Sequence, residues 1–485
     1  MVISWWILQI LYALLVILVC LRIIYDTQSF SKTLAYLLFV VMVPVIGVIF
    51  YLSFGINYRK RKMYTKKLVK DEELSKQLRK QVLAYSQTTY MGAKAILKDY
   101  KKLINMITSD SLSSISANNE VKLLFNGEKM FPEAIKALKR AKHHIHIQFY
   151  IFENDVIGNQ IVDILIEKAR EGVKVRFIYD DFGSKAVRGK MHKRLAAAGV
   201  KVFPFHRVIF IYFANRLNYR NHRKIIIIDG QEAFVGGINV SDKYINYPDA
   251  PHMYWRDTHI QIKGHAVFFL QHTFMCDWNF CAQDNLVPTD DYFPPPESFE
   301  IKDNKIVQIV ASGPDSPVPT ILYSLLQAIN LAKEEVLITT PYFIPGESMI
   351  EALVVAALGG VKIKLLVPGV SDSNIVNAAS RSYYAEILRA GVEIYVYQKG
   401  FVHAKTMVVD GRIAIVGTAN MDYRSFDLNF EVNAIVYDEE TAAELSAAFY
   451  QDIQEADQIN PEQWFNRSKR SKLIEKTVRL VSPLL

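Results

Sequence analysis

The chain contains two copies of one polar pattern, and the side chains in this pattern suit chemistry at a phosphodiester. The first copy consists of His222, Lys224, Asp229, Gly236 and Asn239. The second copy places the same residue types at the same offsets from its histidine, as His403, Lys405, Asp410, Gly417 and Asn420. A single His-x-Lys pair is usually ordinary surface polarity, but five positions repeated at identical offsets indicate a shared function.

Displacement at phosphorus needs a nucleophile, a proton donor and groups that stabilise negative charge. A neutral imidazole can attack phosphorus, and a second, protonated imidazole can donate a proton to the leaving oxygen. Lysine ammonium groups and asparagine amides can bind the non-bridging oxygens. Because residues two apart on a strand share a face, each histidine points into the same space as its lysine. These groups need no metal ion or other cofactor, and the sequence has no His, Cys and Asp cluster at metal-ligand spacing.

Strands and helices must position these residues, and their pattern is also duplicated. After a polar helical stretch at residues 71–109, apolar runs alternate with helical patterns, which predicts an α/β fold. Each Asp-Gly pair predicts a tight turn that brings the Gly/Asn strand back alongside the first strand. Three predicted strands recur in both halves, at residues 144–152 and 336–343, 172–178 and 360–366, and 198–203 and 390–395. We therefore expect two α/β units related by a pseudo-twofold axis.

Two apolar runs near the N-terminus predict a membrane anchor. Residues 3–21 and 34–54 are each long enough to cross ~30 Å of hydrocarbon, and the short linker between them predicts a helical hairpin. A cleaved signal peptide is the alternative for the first run, but it lacks a basic start and a small-residue cleavage site. Residues 59–67 carry six basic residues, which predicts a cytoplasmic body and attraction to an anionic membrane surface.

Composition and charge exclude several classes of protein. A hydrophobic share of 51% excludes a disordered or fibrous chain, and three cysteines are too few for a disulfide framework. The formal net charge is +8, but residues 59–70 hold seven basic and no acidic residues, and residues 467–485 hold six basic and one acidic. The rest of the chain is therefore mildly acidic, which argues against nucleic acid as a partner.

These features together resemble a known family. The two motifs resemble the duplicated HKD signature of the phospholipase D superfamily, and the membrane hairpin followed by a basic segment resembles the bacterial cardiolipin synthases within it. Similar stretches occur along nearly the whole chain, at residues 43–47, 255–257, 417–425, 428–431 and 480–485. The resemblance implies two α/β/α halves that share one active site, in a multi-pass enzyme of the cell membrane with a cytoplasmic catalytic body.

The resemblance also implies an activity. The expected reaction is phosphatidyl transfer between two phosphatidylglycerol molecules, which gives cardiolipin and glycerol through a phosphohistidine. His222 and His403 are expected to act as nucleophile and proton donor, in an order that the motifs leave open. Asp257 and Glu431, each soon after its own motif, are candidates to hold a histidine's second nitrogen; the alternative is a solvated charge at a strand edge.

The other motif residues receive supporting roles from the same resemblance. Phosphate oxygens are expected to be bound by Lys224 and Lys405, with Asn239 and Asn420 beside them. Asp229 and Asp410 are expected to be structural or orienting, because the turn carries them away from the face of the histidines. The expected segments are the membrane hairpin 1–58, the basic and helical linker 59–115, the first half 116–288, the connection 289–319 and the second half 320–485.

Several interpretations stay open at this point. The same motifs would serve a hydrolytic phospholipase D or a transferase that uses another alcohol, and nothing indicates the oligomeric state. A non-catalytic membrane scaffold is disfavoured because neither motif has lost a residue. The aromatic segment 207–221 either lines lipid access or is a packed loop, and the basic amphipathic tail at 464–485 either lies at the membrane interface or packs on the core.

Overall fold

The computed structural model describes residues 5–27, 30–54, 67, 72, 86–93, 97–110, 113–205, 219–249, 252–282, 284–295, 298–371 and 373–482. The chain divides into two compact units. The N-terminal unit comprises residues 1–69 and 208–219, and the α/β body comprises residues 70–207 and 220–485. The predicted basic segment 59–67 and the aromatic segment 207–221 lie outside the described residues, except for Lys67 and residues 219–221.

The described part of the N-terminal unit contains three apolar helices, α1 (Trp5–Asp26), α2 (Phe30–Met42) and α3 (Pro44–Phe54). Among the described residues, α1 alone is long and apolar enough to cross a membrane, with a mean hydropathy of 2.7. The second predicted span is divided at Val43, because the ring of Pro44 disfavours helical backbone at the residue before it. The described residues thus contain one N-terminal helix that is long and apolar enough to cross a membrane, and the two-span hairpin stays a prediction.

The α/β body contains all the described strands and the remaining helices. The strands are β1 (Ile115–Phe125), β2 (His144–Phe149), β3 (Lys174–Tyr179), β4 (Lys201–Pro204), β5 (Arg220–Asn221), β6 (Ile225–Ile228), β7 (Glu232–Gly236), β8 (Tyr254–Arg256), β9 (Thr258–Gly264), β10 (Lys305–Ser312), β11 (Glu335–Thr339), β12 (Phe343–Ile344), β13 (Lys362–Pro368), β14 (Glu393–Tyr397), β15 (Gly400–Val402), β16 (Thr406–Val409), β17 (Ile413–Gly417), β18 (Met421–Asp422), β19 (Asn429–Tyr437) and β20 (Ala456–Gln458). The helices are α4 (Lys101–Asp110), α5 (Gly127–Arg140), α6 (Val156–Arg170), α7 (Lys190–Ala197), α8 (Val267–Cys281), α9 (Thr320–Leu331), α10 (Glu347–Leu358), α11 (Asn374–Arg389), α12 (Tyr423–Asp427), α13 (Glu439–Gln454), α14 (Pro461–Phe465) and α15 (Lys469–Val481).

One continuous sheet of sixteen strands runs through both halves of the body, with β1 and β10 as an antiparallel pair at its centre. Outward from this pair, the first half has the order β1-β9-β7-β6-β2-β3-β4, and the second half has the order β10-β19-β17-β16-β11-β13-β14. The two orders correspond strand for strand. β20 is added at the outer edge of the second half, and β5 is the sixteenth strand, which pairs with β19. The predicted α/β fold of two similar halves is therefore confirmed.

Helices cover both faces of the sheet, so inner strands such as β2 and β19 are buried along their whole length. Every residue of β2 is buried. Ile145 and Ile147 face the core that α5 and α6 form with the sheet. Residues of the opposite face, such as Gln148, contact α8 instead. A second core of the same kind, which includes Leu325 and Ile338, fills the other half.

The strand β10 lies within residues 289–319, the range predicted as a connection. In the sheet it corresponds to β1 of the first half, so this range is not loop alone. Its eight side chains point alternately to the two faces of the sheet, and nearly all of these residues are buried. The connecting segment proper therefore ends before Lys305, because the strand that starts there already belongs to the second half.

The C-terminal helix α15 packs on α11 through charged groups rather than through a continuous apolar face. Glu475 is buried and accepts hydrogen bonds from Arg467 at 2.7 Å and from Arg381 at 3.3 Å. Leu473 and Leu480, which lie on the opposite side of the helix, are 67% and 81% exposed. The C-terminal helix thus contacts the α/β body on one side and exposes apolar side chains on the other.

Candidate active site

Each polar motif lies on a β-hairpin near the middle of its half. β6 pairs antiparallel with β7, with Ile225 opposite Val235, and β16 pairs with β17, with Thr406 opposite Val416. The His-x-Lys residues come directly before the first strand of each hairpin, and the Gly/Asn residues end and follow the second. The tight turn predicted from Asp-Gly is present in both halves.

Asp229 and Asp410 occupy the two hairpin turns, with φ angles of 52° and 51°. Aspartate is one of the few non-glycine residues that adopt this left-handed backbone. Each carboxylate accepts hydrogen bonds of 2.8–2.9 Å from three successive main-chain N–H groups, those of residues 142–144 for Asp229 and 333–335 for Asp410. The aspartates therefore tie each turn to the neighbouring strand, and neither lines the cavity that contains the histidines.

The segment before each histidine pairs with the opposite half of the body. β5 lies parallel to the start of β19, and β15 lies parallel to β8. At the histidines themselves, the N–H of His222 donates to the carbonyl of Phe430 at 2.9 Å, and the N–H of His403 donates to the carbonyl of Arg256 at 2.7 Å. Each motif is thus anchored on a strand of the other half, which brings the two motifs together.

The carboxylates of the opposite half hold the histidine rings. His222 Nδ1 lies 2.9 Å from the Glu431 carboxylate, and His403 Nδ1 lies 2.7 Å from that of Asp257. The pairing is crossed, because each carboxylate follows the motif of one half and contacts the histidine of the other. With Nδ1 engaged, Nε2 is the ring nitrogen that remains for chemistry. Thr418 Oγ1 also donates to Glu431 at 2.5 Å.

The motif lysines are buried, and their ammonium groups bind main-chain oxygens at the motif. Lys224 Nζ donates to the carbonyl of His222 at 2.7 Å, and Lys405 Nζ donates to the carbonyl of His403. An ammonium group has three N–H donors, so this contact engages one of them. Each ammonium group is therefore held at the main chain of the histidine in its own motif, although neither lysine is among the residues that line the cavity containing both histidines.

The motif asparagines line the cavity beside the histidines. Asn239 Nδ2 donates to the hydroxyl of Tyr244 at 2.8 Å, and its Oδ1 accepts from a main-chain N–H. Asn420 Nδ2 donates to Asp422 at 3.1 Å. Among the described residues, the buried Oδ1 of Asn420 has no hydrogen-bond partner. The two amides are thus equivalent in sequence but differ in their contacts.

A cavity of about 390 Å³ contains both histidines and both asparagines. Its walls also include Tyr150, Arg220, Lys243 and Arg424, which the motif analysis did not single out. Arg220 was open to detection, since it lies two residues before His222 and shares its face of the strand. Lys243 and Arg424 were also open to detection, since each is a basic residue four positions after the asparagine of its motif.

Comparison with protein families accounts for both units. The family described as cardiolipin synthase, PLD-like domain, matches residues 134–251 and 325–453, which contain the two motifs. The family described as phospholipase D-nuclease N-terminal matches residues 13–55. The chain belongs to the cardiolipin synthase family of phospholipase D-like proteins.

Curated relatives within the cardiolipin synthase family resemble the chain along nearly its full length. Cardiolipin synthase of Alkalihalophilus pseudofirmus is 41% identical, over 99% of this chain and 95% of the relative. Cardiolipin synthase 2 of Bacillus anthracis is 42% identical, over 94% of this chain and 87% of the relative. A solved structure, the phosphatidylserine synthase of Haemophilus influenzae, shares the fold with a TM-score of 0.57 at 14% identity, covering 75% of this chain and 95% of that one.

Burial and positive charge set the protonation of this family member's histidines. Burial lowers the pKa of His222 to about 4 against the opposing charge of Glu431. Burial also lowers the pKa of His403 well below its usual range, and the charges of Lys405 and Lys224 act in the same direction. Burial lowers the pKa of Lys224 to about 7. Both imidazoles are therefore neutral at pH 7, and an anionic phosphodiester beside them would raise these pKa values.

The two histidine-binding carboxylates differ in charge preference. Burial raises the pKa of Asp257, although Lys405 and a main-chain N–H oppose it. Burial acts the same way on Glu431, but the charge and hydrogen bond of His222, together with Lys224 and Thr418, outweigh it and lower its pKa. Glu431 is consequently the more firmly ionised of the two, which favours a positive charge on His222 more than on His403.

A buried ion pair connects the first motif to helix α8. Arg223 Nη1 lies 2.5 Å from Asp277 Oδ2, and Arg223 Nε donates to the carbonyl of Glu431 at 3.2 Å. Gln148 also donates to the Asp277 carboxylate, at 2.7 Å. The equivalent position in the second motif is Ala404. An arginine between two motif residues, at the start of an apolar strand, is the sequence signal for this ion pair.

Proposed function

We propose that this chain transfers a phosphatidyl group between two phosphatidylglycerol molecules, giving cardiolipin and free glycerol. The observation that carries the proposal is the shared cavity, in which His222 and His403 come from different halves and each contacts a carboxylate of the opposite half. The curated relatives named as cardiolipin synthases support this choice of substrate and product.

The two histidines divide the proton and phosphorus chemistry between them. One neutral imidazole attacks phosphorus through Nε2, the bond to the glycerol oxygen breaks, and that oxygen takes the proton that the other imidazole acquires when the anionic phosphodiester binds. The hydroxyl of a second phosphatidylglycerol then attacks the phosphohistidine and gives its proton back to the same imidazole. The phosphorus–nitrogen bond breaks as the new phosphodiester forms, so both histidines return to their starting states.

The lysines and asparagines stabilise the phosphate during both displacements. The ammonium groups of Lys224 and Lys405 lie at the main chain of the two histidines, where their charge can stabilise the non-bridging oxygens. Asn239 and Asn420 contribute amide groups from the cavity wall. Asp257 and Glu431 fix the tautomer of the histidine that each contacts and stabilise its imidazolium. Asp229 and Asp410 keep the hairpins in place and touch no reacting atom.

We also propose that the N-terminal unit anchors the enzyme as a two-span hairpin, with the α/β body in the cytoplasm. α1 is long enough to span, and α2 followed by α3 covers a similar length, with a proline break of the kind that membrane helices tolerate. The basic residues at 59–67 favour the cytoplasmic side and an anionic lipid surface. The remaining predicted boundaries, at 58, 115 and 288, belong to this proposal.

Topology is tested with single cysteines in a variant whose three native cysteines are replaced. A cysteine near residue 28 should react with an impermeant reagent added to intact cells, because the short linker lies outside. A cysteine near residue 110 should react after the cells are opened and not before. Labelling of the second site in intact cells would place the body outside and contradict the proposal.

The reaction is tested with purified enzyme and phosphatidylglycerol vesicles, followed by mass spectrometry of the lipids. We expect cardiolipin with little phosphatidic acid. Since one phosphodiester is exchanged for another, excess glycerol should drive cardiolipin back to phosphatidylglycerol. Phosphatidic acid as the main product, unaffected by glycerol, would identify a hydrolytic phospholipase D. A different phosphatidyl alcohol would identify a transferase with another acceptor, and no turnover at all would favour a scaffold.

A further inference from the structure

Arg220 is a buried cation on the wall of the histidine cavity. It is 3% exposed and lies two residues before His222, so that both side chains are on one face of the strand. Its guanidinium stacks over the ring of Phe182, with the central carbon 4.5 Å from the ring centroid. Among the described residues, Nη1 of this guanidinium has no hydrogen-bond partner. A buried, charged donor without a partner is costly unless a ligand completes it.

The nearest carboxylate is engaged elsewhere. Asp180 Oδ1 lies 3.9 Å from Arg220 Nη1, which is too long for a hydrogen bond. Asp180 instead accepts hydrogen bonds from the main-chain N–H groups of Phe182 at 3.0 Å, Gly183 at 2.9 Å and Asn221 at 3.2 Å. Asp180 therefore offsets the charge of Arg220 without accepting a hydrogen bond from Nη1.

A second cation from the other half reaches the same side of the cavity. Arg424, on α12, lines the cavity and is close enough for its charge to disfavour the charge on Arg220. At the position equivalent to Arg220, the second motif has Phe401, whose ring centroid is 5.8 Å from that of His403 and 4.8 Å from that of Trp255. Both histidines have an aromatic and a cationic neighbour, Tyr150 and Arg220 at His222 and Trp255 and Lys243 at His403, but a buried arginine precedes the motif in the first half only.

We propose that Arg220, with Arg424, binds the phosphate of the acceptor phosphatidylglycerol, a second phosphodiester that does not react. This subsite rests on the proposed function and specifies how the acceptor is recognised. The reacting phosphate must lie between the two histidines and their lysines. The acceptor's own phosphate is three carbons away from its attacking hydroxyl, and therefore needs a separate, off-centre cation. Water and glycerol carry no such anion.

The consequence is selection of a lipid alcohol over water. Charge-assisted hydrogen bonds from a guanidinium hold a phosphate in fixed orientation, and so position the acceptor hydroxyl toward phosphorus. Small neutral acceptors would enter without this help. Removal of the arginine's charge should therefore affect acceptor use selectively, and leave formation of the phosphohistidine from the donor comparatively intact.

The experiment offers the full-length enzyme two acceptors at once. Phosphatidylglycerol in mixed micelles serves as donor and as anionic acceptor, and deuterated glycerol serves as neutral acceptor. Mass spectrometry then counts cardiolipin and deuterium-labelled phosphatidylglycerol in one reaction. In Arg220→Gln we expect cardiolipin formation to fall at least tenfold and glycerol exchange to fall less than threefold. Arg220→Lys, which keeps the charge, should recover part of the cardiolipin rate.

Phe401→Leu is the matched control at the mirror position, and it should change both products by one common factor. Equal losses of both products in Arg220→Gln would show that Arg220 serves the donor or the fold, and would overturn the subsite. An unchanged ratio in a fully active variant would overturn it as well. If the wild-type enzyme makes phosphatidic acid, the proposed function fails and the subsite with it, and that failure is visible before any variant is examined.

Discussion

The two motifs have the same reactive groups but different surroundings. Both halves have a histidine, a lysine that donates to the main-chain carbonyl of that histidine, and an aspartate in the hairpin turn. A carboxylate of the other half contacts each histidine ring. Around His222 the neighbours along the strand are Arg220 and Arg223, whereas around His403 they are Phe401 and Ala404. Duplication has thus preserved the groups that we propose act on phosphorus, whereas the neighbouring positions differ.

This difference has a chemical explanation. The reacting phosphate meets two imidazoles that must attack it and protonate its leaving group in turn, so a nearly symmetric frame suits it. The alcohols are not equivalent, because glycerol leaves and a lipid enters. Groups that distinguish them have to lie off the symmetry axis. Arg220, whose equivalent in the second half is Phe401, is placed in this way.

The largest expected effect is equal in the two halves. His222→Ala and His403→Ala should each reduce kcat by at least about 10³-fold, because each removes one of the two groups required for covalent and acid–base catalysis. Steady-state cardiolipin formation measures the loss, and circular dichroism checks the fold. A variant that keeps a tenth of the wild-type rate would contradict the two-histidine mechanism.

The crossed carboxylates should give the next largest effect, and an unequal one. Glu431→Gln and Asp257→Asn should each lower kcat by about 10²- to 10⁴-fold, as loss of a buried carboxylate that orients an imidazole does elsewhere. The loss should be greater for Glu431→Gln, because its pKa is lowered and that of Asp257 is raised. The rates of the two variants at saturating phosphatidylglycerol decide it; a larger loss for Asp257→Asn would reverse our assignment.

Arg223 and Ala404 offer a third contrast. Arg223→Met should destabilise the body by about 3–5 kcal/mol, since it leaves the buried Asp277 carboxylate unpaired. Ala404→Ser, at the mirror position, should change the free energy of unfolding little. Denaturant titration of both variants measures these values. The double variant Arg223→Met with Asp277→Leu should recover much of the stability, and failure to recover it would show that the arginine acts through other contacts.

The pH dependence should separate the two protonation roles. Activity should fall toward acid as the attacking imidazole takes up a proton, and toward alkali as the other imidazole and Lys224 lose theirs. Burial lowers the pKa of His222 to about 4 and that of Lys224 to about 7, and a bound phosphodiester raises both. The complex with lipid is reported by kcat, which should be bell-shaped between about pH 5 and 9. A flat profile would count against paired imidazoles, and activity lost in EDTA but restored by one divalent ion would reveal a metal.

The smallest expected effect, that of changing the turn aspartates, should be equal in the two halves. Asp229→Asn and Asp410→Asn each weaken hydrogen bonds to three main-chain N–H groups, so we expect a loss of about 1–2 kcal/mol in stability and little change in kcat. Thermal unfolding of the two variants provides the comparison. A loss of activity without a loss of stability would indicate a direct catalytic role, and a large difference between them would show that the hairpins are not equivalent.

The residues that could be predicted from the sequence are those with a repeated spacing. The two histidines, lysines, asparagines and turn aspartates follow from one motif at fixed offsets, and the duplicated strands predict the two-half fold. Glu431 and Asp257 were found as candidates, but their crossed pairing was not. It depends on β5 and β15 each joining the opposite half, which no local pattern reports.

Other parts of the molecule depend on long-range packing. β10 was assigned to a connection because prolines and glycines surround it, although pairing with β1 and β19 makes it a central strand. Lys243 and Arg424 lie four residues after Asn239 and Asn420, but their place on the cavity wall depends on how the two halves pack. Residues 34–54 were predicted as one span, and the described backbone instead has two shorter helices there, with Pro44 at the break.

The central claim is that one histidine of the pair becomes covalently linked to the phosphatidyl group while the other transfers protons. The most direct test is rapid quenching of the enzyme during turnover of short-chain phosphatidylglycerol, followed by peptide mass spectrometry under alkaline conditions that preserve a phosphohistidine. We predict one phosphatidyl adduct per chain, on His222 or His403 and not on both, that disappears when glycerol is added. An adduct on any other residue, or turnover to cardiolipin with no adduct at any quench time, would contradict the account.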